Sequence, residues 1–223
     1  MSAHGDDASL PGPRDPGTPE GAASRRRGRG ALRDALRLLG AGDAAGAAEV
    51  LRASLLEGGL SPSREAETRY ALGRALSACG DRAGMAAEWV QVLRLDALSD
   101  GPRILTDREF EEAAERALDE LPQALIDELQ GAAVMIADRP SPELVAGGVD
   151  PRVLGLYHGV PLLKRSSMFG APYADSIHLF RANLERVCPT REVLVERIRI
   201  VVLHETAHFF GYTERQLREM GLA

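Results

Sequence analysis

From Ala31 to Asp96 apolar residues recur at spacings of three and four among Ala, Leu, Arg and Glu, a pattern that predicts amphipathic helices. Gly42-Asp43 and Gly80-Asp81 interrupt it and divide the stretch into helical hairpins. Farther along, Thr106 precedes an acidic first turn with Glu109 three residues on, a capping-box spacing. Phe110, Ala113, Ala114, Ala117, Leu118 and Leu121 then share one helical face, and Pro122 opens a shorter helix reaching about Leu129.

The pattern then changes period. The apolar run from Ala132 to Ala137, ended by Asp138-Arg139-Pro140, predicts a buried strand. Residues Asp138 to Asp150 read as loop. Val153 to Tyr157 and Val160 to Leu163 predict two short strands around the turn His158-Gly159. Ser176 to Arg181 alternates and predicts a strand at the edge of the sheet, where an extended substrate strand could pair. Glu192 to Phe210 predicts a long helix carrying Val193, Leu194, Ile198, Val201, Val202 and Leu203, closed by Gly211 as a C-terminal cap.

Residues 1–30 are dense in Pro, Gly, Asp, Ser and Arg and almost devoid of aliphatic side chains, so they predict a disordered tail. Ser99-Asp100-Gly101-Pro102 is a turn cluster that suits a domain boundary. The expected organisation is therefore a tail over 1–30, an all-α helical domain over 31–98 and an α+β domain over 104–223. Lys and Arg number 27 against 33 Asp and Glu, a formal charge of −6 that argues against general affinity for nucleic acid or anionic membranes. Apolar stretches such as Ile200 to Leu203 fall far short of the ~20 residues that cross a bilayer. The segment after Arg25-Arg26-Arg27 carries Arg33, Asp34 and Arg37 where a secretory signal needs an apolar core, so the expected location is the cytoplasm. Only Cys79 and Cys188 occur, too few for a disulfide framework or a thiolate zinc site, and both are expected to be buried or half-buried thiols.

The chemistry concentrates in His204-Glu205-Thr206-Ala207-His208 on the last helix. Four residues at about 100° each return the second histidine to within roughly 40° of the first, one turn along, so both imidazoles can reach one ion. Glu205 lies about 100° round from His204, where a carboxylate can take a proton from a water without displacing it. Two neutral imidazoles, one oxygen ligand and an open position describe a catalytic zinc site better than a closed structural one, although iron, nickel or cobalt fit the same donors. Gly211 allows a sharp turn, and Glu214 three residues later is the candidate third ligand, with Asp175 as the alternative. Tyr157, His158, Arg165, His178 and Tyr212 could each donate a hydrogen bond to an oxyanion, but no spacing singles one out.

Two resemblances extend this reading. Tyr70-Ala71-Leu72-Gly73, Ala75-Leu76, Gly80-Asp81, Trp89 and Leu93-Arg94-Leu95-Asp96 resemble a tetratricopeptide repeat, with a weaker match around Ala35, Gly42-Asp43 and Ala47. That implies helical repeats able to recruit a protein partner. From about Phe110 to the C-terminus the chain resembles the small bacterial zincin-like metallopeptidase domains, or minimal zincins. The residues that carry this are Ala117-Leu118-Asp119-Glu120-Leu121-Pro122, Leu154-Gly155-Leu156-Tyr157 with Gly159-Val160-Pro161-Leu162 and Arg165, Asp175 to Arg181, and His204 to Gly211 with Leu217.

The second resemblance implies a small sheet packed on the active-site helix, His204 and His208 as zinc ligands and Glu205 as general base. The family usually shows an aspartate where this chain has Glu214, and Met220 is not given the role of the methionine turn of larger relatives. The function expected is a zinc-dependent metallopeptidase acting on a peptide or protein substrate. The alternative is a non-catalytic interaction protein with a structural or vestigial metal site.

Overall fold

The structure, a computed structural model, describes residues 19–129, 133–159 and 176–219. The chain divides into two compact units, Met1–Ser99 and Asp100–Ala223.

The first unit contains α1 (Pro19–Gly40), α2 (Ala44–Glu57), α3 (Pro62–Ala78) and α4 (Arg82–Ala97). Each Gly-Asp pair ends one helix and starts the next. Gly42 and Gly80 adopt φ of 86° and 80°, a left-handed conformation that glycine enters without a Cβ penalty. Their amides bond to Leu39 and Ser77, while the amides of Asp43 and Asp81 reach back to Leu38 and Leu76, completing the helix C-termini. The Asp43 and Asp81 carboxylates then accept from the amides of Gly46 and Gly84 at 2.9 and 2.8 Å, capping the following helices. A Cβ at Gly46 or Gly84 would overlap the capping carboxylate, so Gly-Asp-x-Ala-Gly is a working unit used twice. Within the second hairpin Gly73 makes room for Trp89, whose indole stacks on Tyr70 at 6.1 Å and donates to the Tyr70 carbonyl at 3.4 Å. Helix α1 already runs from Pro19, upstream of the Ala31 start that composition suggested.

The second unit is α+β, as the change of period implied. It runs α5 (Asp107–Asp119), α6 (Gln123–Glu128), β1 (Ala133–Ala137), α7 (Pro142–Ala146), β2 (Gly155–His158), β3 (Ser176–Phe180), α8 (Arg181–Val187), α9 (Arg191–Phe209) and α10 (Glu214–Glu219). The predicted capping box of α5 is formed: Thr106 Oγ1 accepts from the Glu109 amide at 3.3 Å and Glu109 accepts from the Thr106 amide at 2.8 Å. Pro122 caps α6. The strands form one sheet of order β1-β3-β2, with β1 parallel and β2 antiparallel to β3. Ile177 and Leu179 of β3 point to one face and join Phe110, Ala113, Leu184, Leu194, Ile198 and Val202 in a core shared by the sheet, α5, α8 and α9. Each large apolar side chain so buried contributes about 1.5–3 kcal/mol.

Four expectations are corrected here. Ser176–Phe180 is the central strand, not an edge, because β1 and β2 flank it on both sides. Alternation reports that one face is buried and is blind to how many neighbours a strand has. The run at β1 is not buried: only Val134 is half-buried, while Met135 and Ile136 are 49% and 37% exposed. Residues 138–150 hold the short helix α7 capped by Ser141, whose hydroxyl accepts from the Leu144 amide at 3.3 Å. Cys79 is exposed, unlike the buried Cys188. Of the two strands expected around His158-Gly159, the first is β2; Val160 to Leu163 lie outside the described residues.

Candidate active site

Helix α9 brings His204 and His208 to its last two turns, and its end decides where the chain goes next. Phe210 is the C-cap, and Gly211 follows at φ 89°. The Gly211 amide bonds to the His208 carbonyl at 2.9 Å and the Tyr212 amide to the Ala207 carbonyl at 3.0 Å, the paired bonds of a left-handed glycine cap. The chain therefore reverses sharply into α10, whose first residue is Glu214. Thr213, just before it, is held by Gln216, which accepts from both its amide and its hydroxyl at 2.8 Å.

This turn returns the Glu214 carboxylate to the two imidazoles. His208 Nε2 lies 3.1 Å from His204 Nε2 and 3.1 Å from Glu214 Oε1, and His204 Nε2 lies 3.6 Å from the same oxygen. Bonds of about 2.0–2.1 Å arranged tetrahedrally around zinc separate neighbouring donors by about 3.4 Å. The three observed separations bracket that edge, so the donor set fits zinc in spacing as well as in type. His208 Nδ1 also donates to the Tyr212 carbonyl at 3.1 Å. That bond fixes the tautomer with the Nε2 lone pair turned to the cluster, the outer support that metal-binding imidazoles commonly have. Among the described residues, this is the group of His, Cys, Asp and Glu side chains whose donor atoms all fall within 4.8 Å of one another. Asp175, the alternative ligand, and Arg165 lie outside the described residues.

Glu205 is set apart from the cluster. Its side chain is buried, and Oε2 accepts from the backbone amide of Tyr157 at 2.7 Å. Burial pushes the Glu205 carboxyl up from its ordinary value; the Tyr157 amide and the nearby His204 and His208 oppose that rise. A cleft of about 510 Å³ opens beside it, walled by β2, the last turns of α9 and the turn into α10. Glu205, His204, His208 and Glu214 all line this cleft. Tyr157 packs edge-on against Phe209 at 5.8 Å, fastening β2 to the end of α9.

The remaining oxyanion candidates separate. Tyr157 and Tyr212 line the cleft, Tyr212 being 45% exposed. His158 and His178 pair with each other at 6.4 Å and are not among the residues lining it. His178 alternates with Ile177 and Leu179 and so lies on the sheet face turned away from the core. Burial and the neighbouring His158 lower its pKa from the ordinary histidine value. Three contributors to the site were missed in the sequence: the Tyr157 amide, Gly155 beside it and the Tyr212 carbonyl. Two are backbone groups with no sequence signature. Gly155 had one, since a glycine inside a strand pattern marks close backbone approach.

No curated protein matches the chain. The match obtained begins at residue 129, so α5 and its Ala117 to Pro122 segment lie upstream of it. The family model described as zincin-like metallopeptidase matches residues 129–222, and the C-terminal unit over that span is similar to this family.

Proposed function

We propose that the chain is a zinc-dependent metallopeptidase in which His204, His208 and Glu214 hold the metal and Glu205 is the general base. The observation that carries this reading is the pairing of a three-donor cluster at zinc-like spacing with a separate, buried carboxylate in the same cleft. A purely structural site has no use for that carboxylate and normally closes with four protein ligands. Bound zinc supplies Lewis acidity, which polarises a scissile carbonyl and eases ionisation of water.

The chain's own residues do the rest. Glu205 takes the proton of the attacking water and returns it to the leaving amine. A carboxyl raised by burial is better matched to that exchange near neutral pH than an ordinary one. Val153, Leu156 and Tyr212 form apolar walls that an extended peptide would meet on either side of the reacting bond. The strand beside the cleft is β2, whose residues an extended substrate would meet. The helical first unit, with its twice-used Gly-Asp-x-Ala-Gly turn, recruits the protein substrate or a partner.

The test is hydrolysis of a quenched-fluorescent peptide library by the zinc-loaded full chain. Cleavage by the wild type, with kcat reduced about 10²–10⁴-fold in Glu205→Gln and zinc retained, supports the reading. A Glu205→Gln protein that cleaves at the wild-type rate overturns it. A zinc-loaded wild type inert to the whole library returns the chain to the non-catalytic interaction reading.

A further inference from the structure

The segment Leu154-Gly155-Leu156-Tyr157 carries no side chain that the proposed reaction uses, yet it approaches the base closely, the Tyr157 amide donating to Glu205 at 2.7 Å. An ideal Cβ built on Gly155 would stand 2.5 Å from Val201 Cγ1, 3.0 Å from Glu205 Cγ and 3.2 Å from Glu205 Oε1. Separations under about 3 Å between carbon atoms lie deep inside van der Waals contact. Any side chain at 155 must therefore push β2 away from α9 or displace the Glu205 side chain.

The approach that glycine permits has a specific product. Gly155 faces Leu179 and Tyr157 faces Ile177 across the β2–β3 ladder, so both side-chain positions fall on the face packed against α9. Leu154 turns its carbonyl toward β3, accepting from the Phe180 amide at 2.9 Å. Tyr157, three residues on, has the opposite parity and turns its amide away from β3, to Glu205 at 2.7 Å. That amide is the hydrogen-bond donor that meets Glu205 among the described residues. It holds Oε2.

We propose that Gly155 and the Tyr157 amide are positioning residues for Glu205: the missing side chain at 155 lets β2 close on α9, and the amide then fixes the carboxylate beside the cleft. This deepens the peptidase reading and rests on it for the consequence in turnover, though not for the geometry. A base fixed by a rigid strand loses no time in unproductive rotamers, and small displacements of such a group carry large rate costs.

The experiment compares four full-length proteins: wild type, Glu205→Ala, Gly155→Ala and Gly155→Ala/Val201→Ala. The double variant removes the overlap with Val201 Cγ1 and keeps the crowding against Glu205, so it remains informative if Gly155→Ala alone fails to fold. Hydrogen exchange at the Tyr157 amide, followed by ¹⁵N-resolved NMR, reads the contact without metal or substrate. Zinc stoichiometry and competition with a chromophoric chelator read the ligands. Library hydrolysis reads turnover.

The expected result is that Glu205→Ala and the double variant each speed Tyr157 exchange about tenfold or more, the effect of losing a charge-assisted hydrogen bond. The double variant should keep its zinc affinity within about threefold and lose kcat about tenfold with KM little changed. A folded double variant with wild-type Tyr157 protection and wild-type kcat overturns the proposal, because Glu205 then keeps its place without the glycine. A wild type that cleaves nothing sinks the peptidase reading alone, and the exchange data still decide the positioning role.

Discussion

Arg181 and Glu205 are both buried charges of the C-terminal unit, 3% and 7% exposed, and their surroundings differ in kind. Each nitrogen of the Arg181 guanidinium has an acceptor: it donates to Asp107, to Glu185 at 3.2 Å and to the Leu105 carbonyl, and it lies 5.2 Å above the Phe110 ring. It joins β3 and α8 to the start of α5, where Thr106 and Glu109 form the capping box and Arg191 reaches Glu109 at 2.8 Å. Glu205 instead has the Tyr157 amide as its hydrogen-bond partner among the described residues. Taking a charge out of water is costly unless partners replace the lost hydration. A buried charge tied to several elements is architecture, whereas one held by a single described donor beside a cleft suits the proton exchange proposed for it.

This contrast can be broken by substitution at the architectural corner. Arg181→Met should destabilise the folded chain by about 3 kcal/mol, because Glu185 and the Leu105 carbonyl lose their buried partner. Thermal unfolding should show it as a fall in Tm, with zinc stoichiometry unchanged in the folded fraction. Asp107→Asn should cost far less, about 0–1 kcal/mol, since Asp107 is 88% exposed and its charge is screened. Equal losses in the two variants would show that Arg181 is not anchored by its buried contacts.

An effect well below that of Arg181→Met is expected at the cap of α5. Thr106→Ala removes the cap of α5 and should cost about 1 kcal/mol in denaturant unfolding. The smallest effect is in acid. The Thr106 amide, then its hydroxyl, then Arg191 hold the Glu109 carboxyl down at about 2, below its ordinary value. A depressed carboxyl stabilises the fold in full above the unfolded-state value of about 4.3, and that contribution disappears as pH falls through about 2. Glu109→Gln should therefore lose less stability than wild type between about pH 5 and pH 2, and the two should lose equally if Glu109 is unpaired in solution.

The chemistry corner was the more legible of the two, for a physical reason. His204, Glu205, His208, Gly211 and Glu214 lie within one helix end and its turn, where spacing alone sets relative position. The capping box at Thr106 and Glu109 was legible for the same reason. What escaped depends on pairing between distant segments. The alternation of Ser176 to Phe180 was visible, but its central place depends on β1 and β2, which the local pattern does not register. The run Ala132 to Ala137 reads as buried from its composition, yet over its described part, Ala133–Ala137, Met135 and Ile136 are exposed. Arg181 read as the end of a strand and is the anchor of α8. The partner of Glu205 is a backbone amide 48 residues upstream, a group that every residue but proline carries.

The central claim is that His204, His208 and Glu214 form one metal site, and metal content tests it most directly. Protein purified without chelators or a histidine tag should contain about one zinc per chain by elemental analysis, and both His204→Ala and Glu214→Ala should lose it or bind it far more weakly. Absence of metal in the wild type, or zinc retained at the wild-type level when His204 is removed, would contradict the account and leave two histidines on an apolar helix with no site between them.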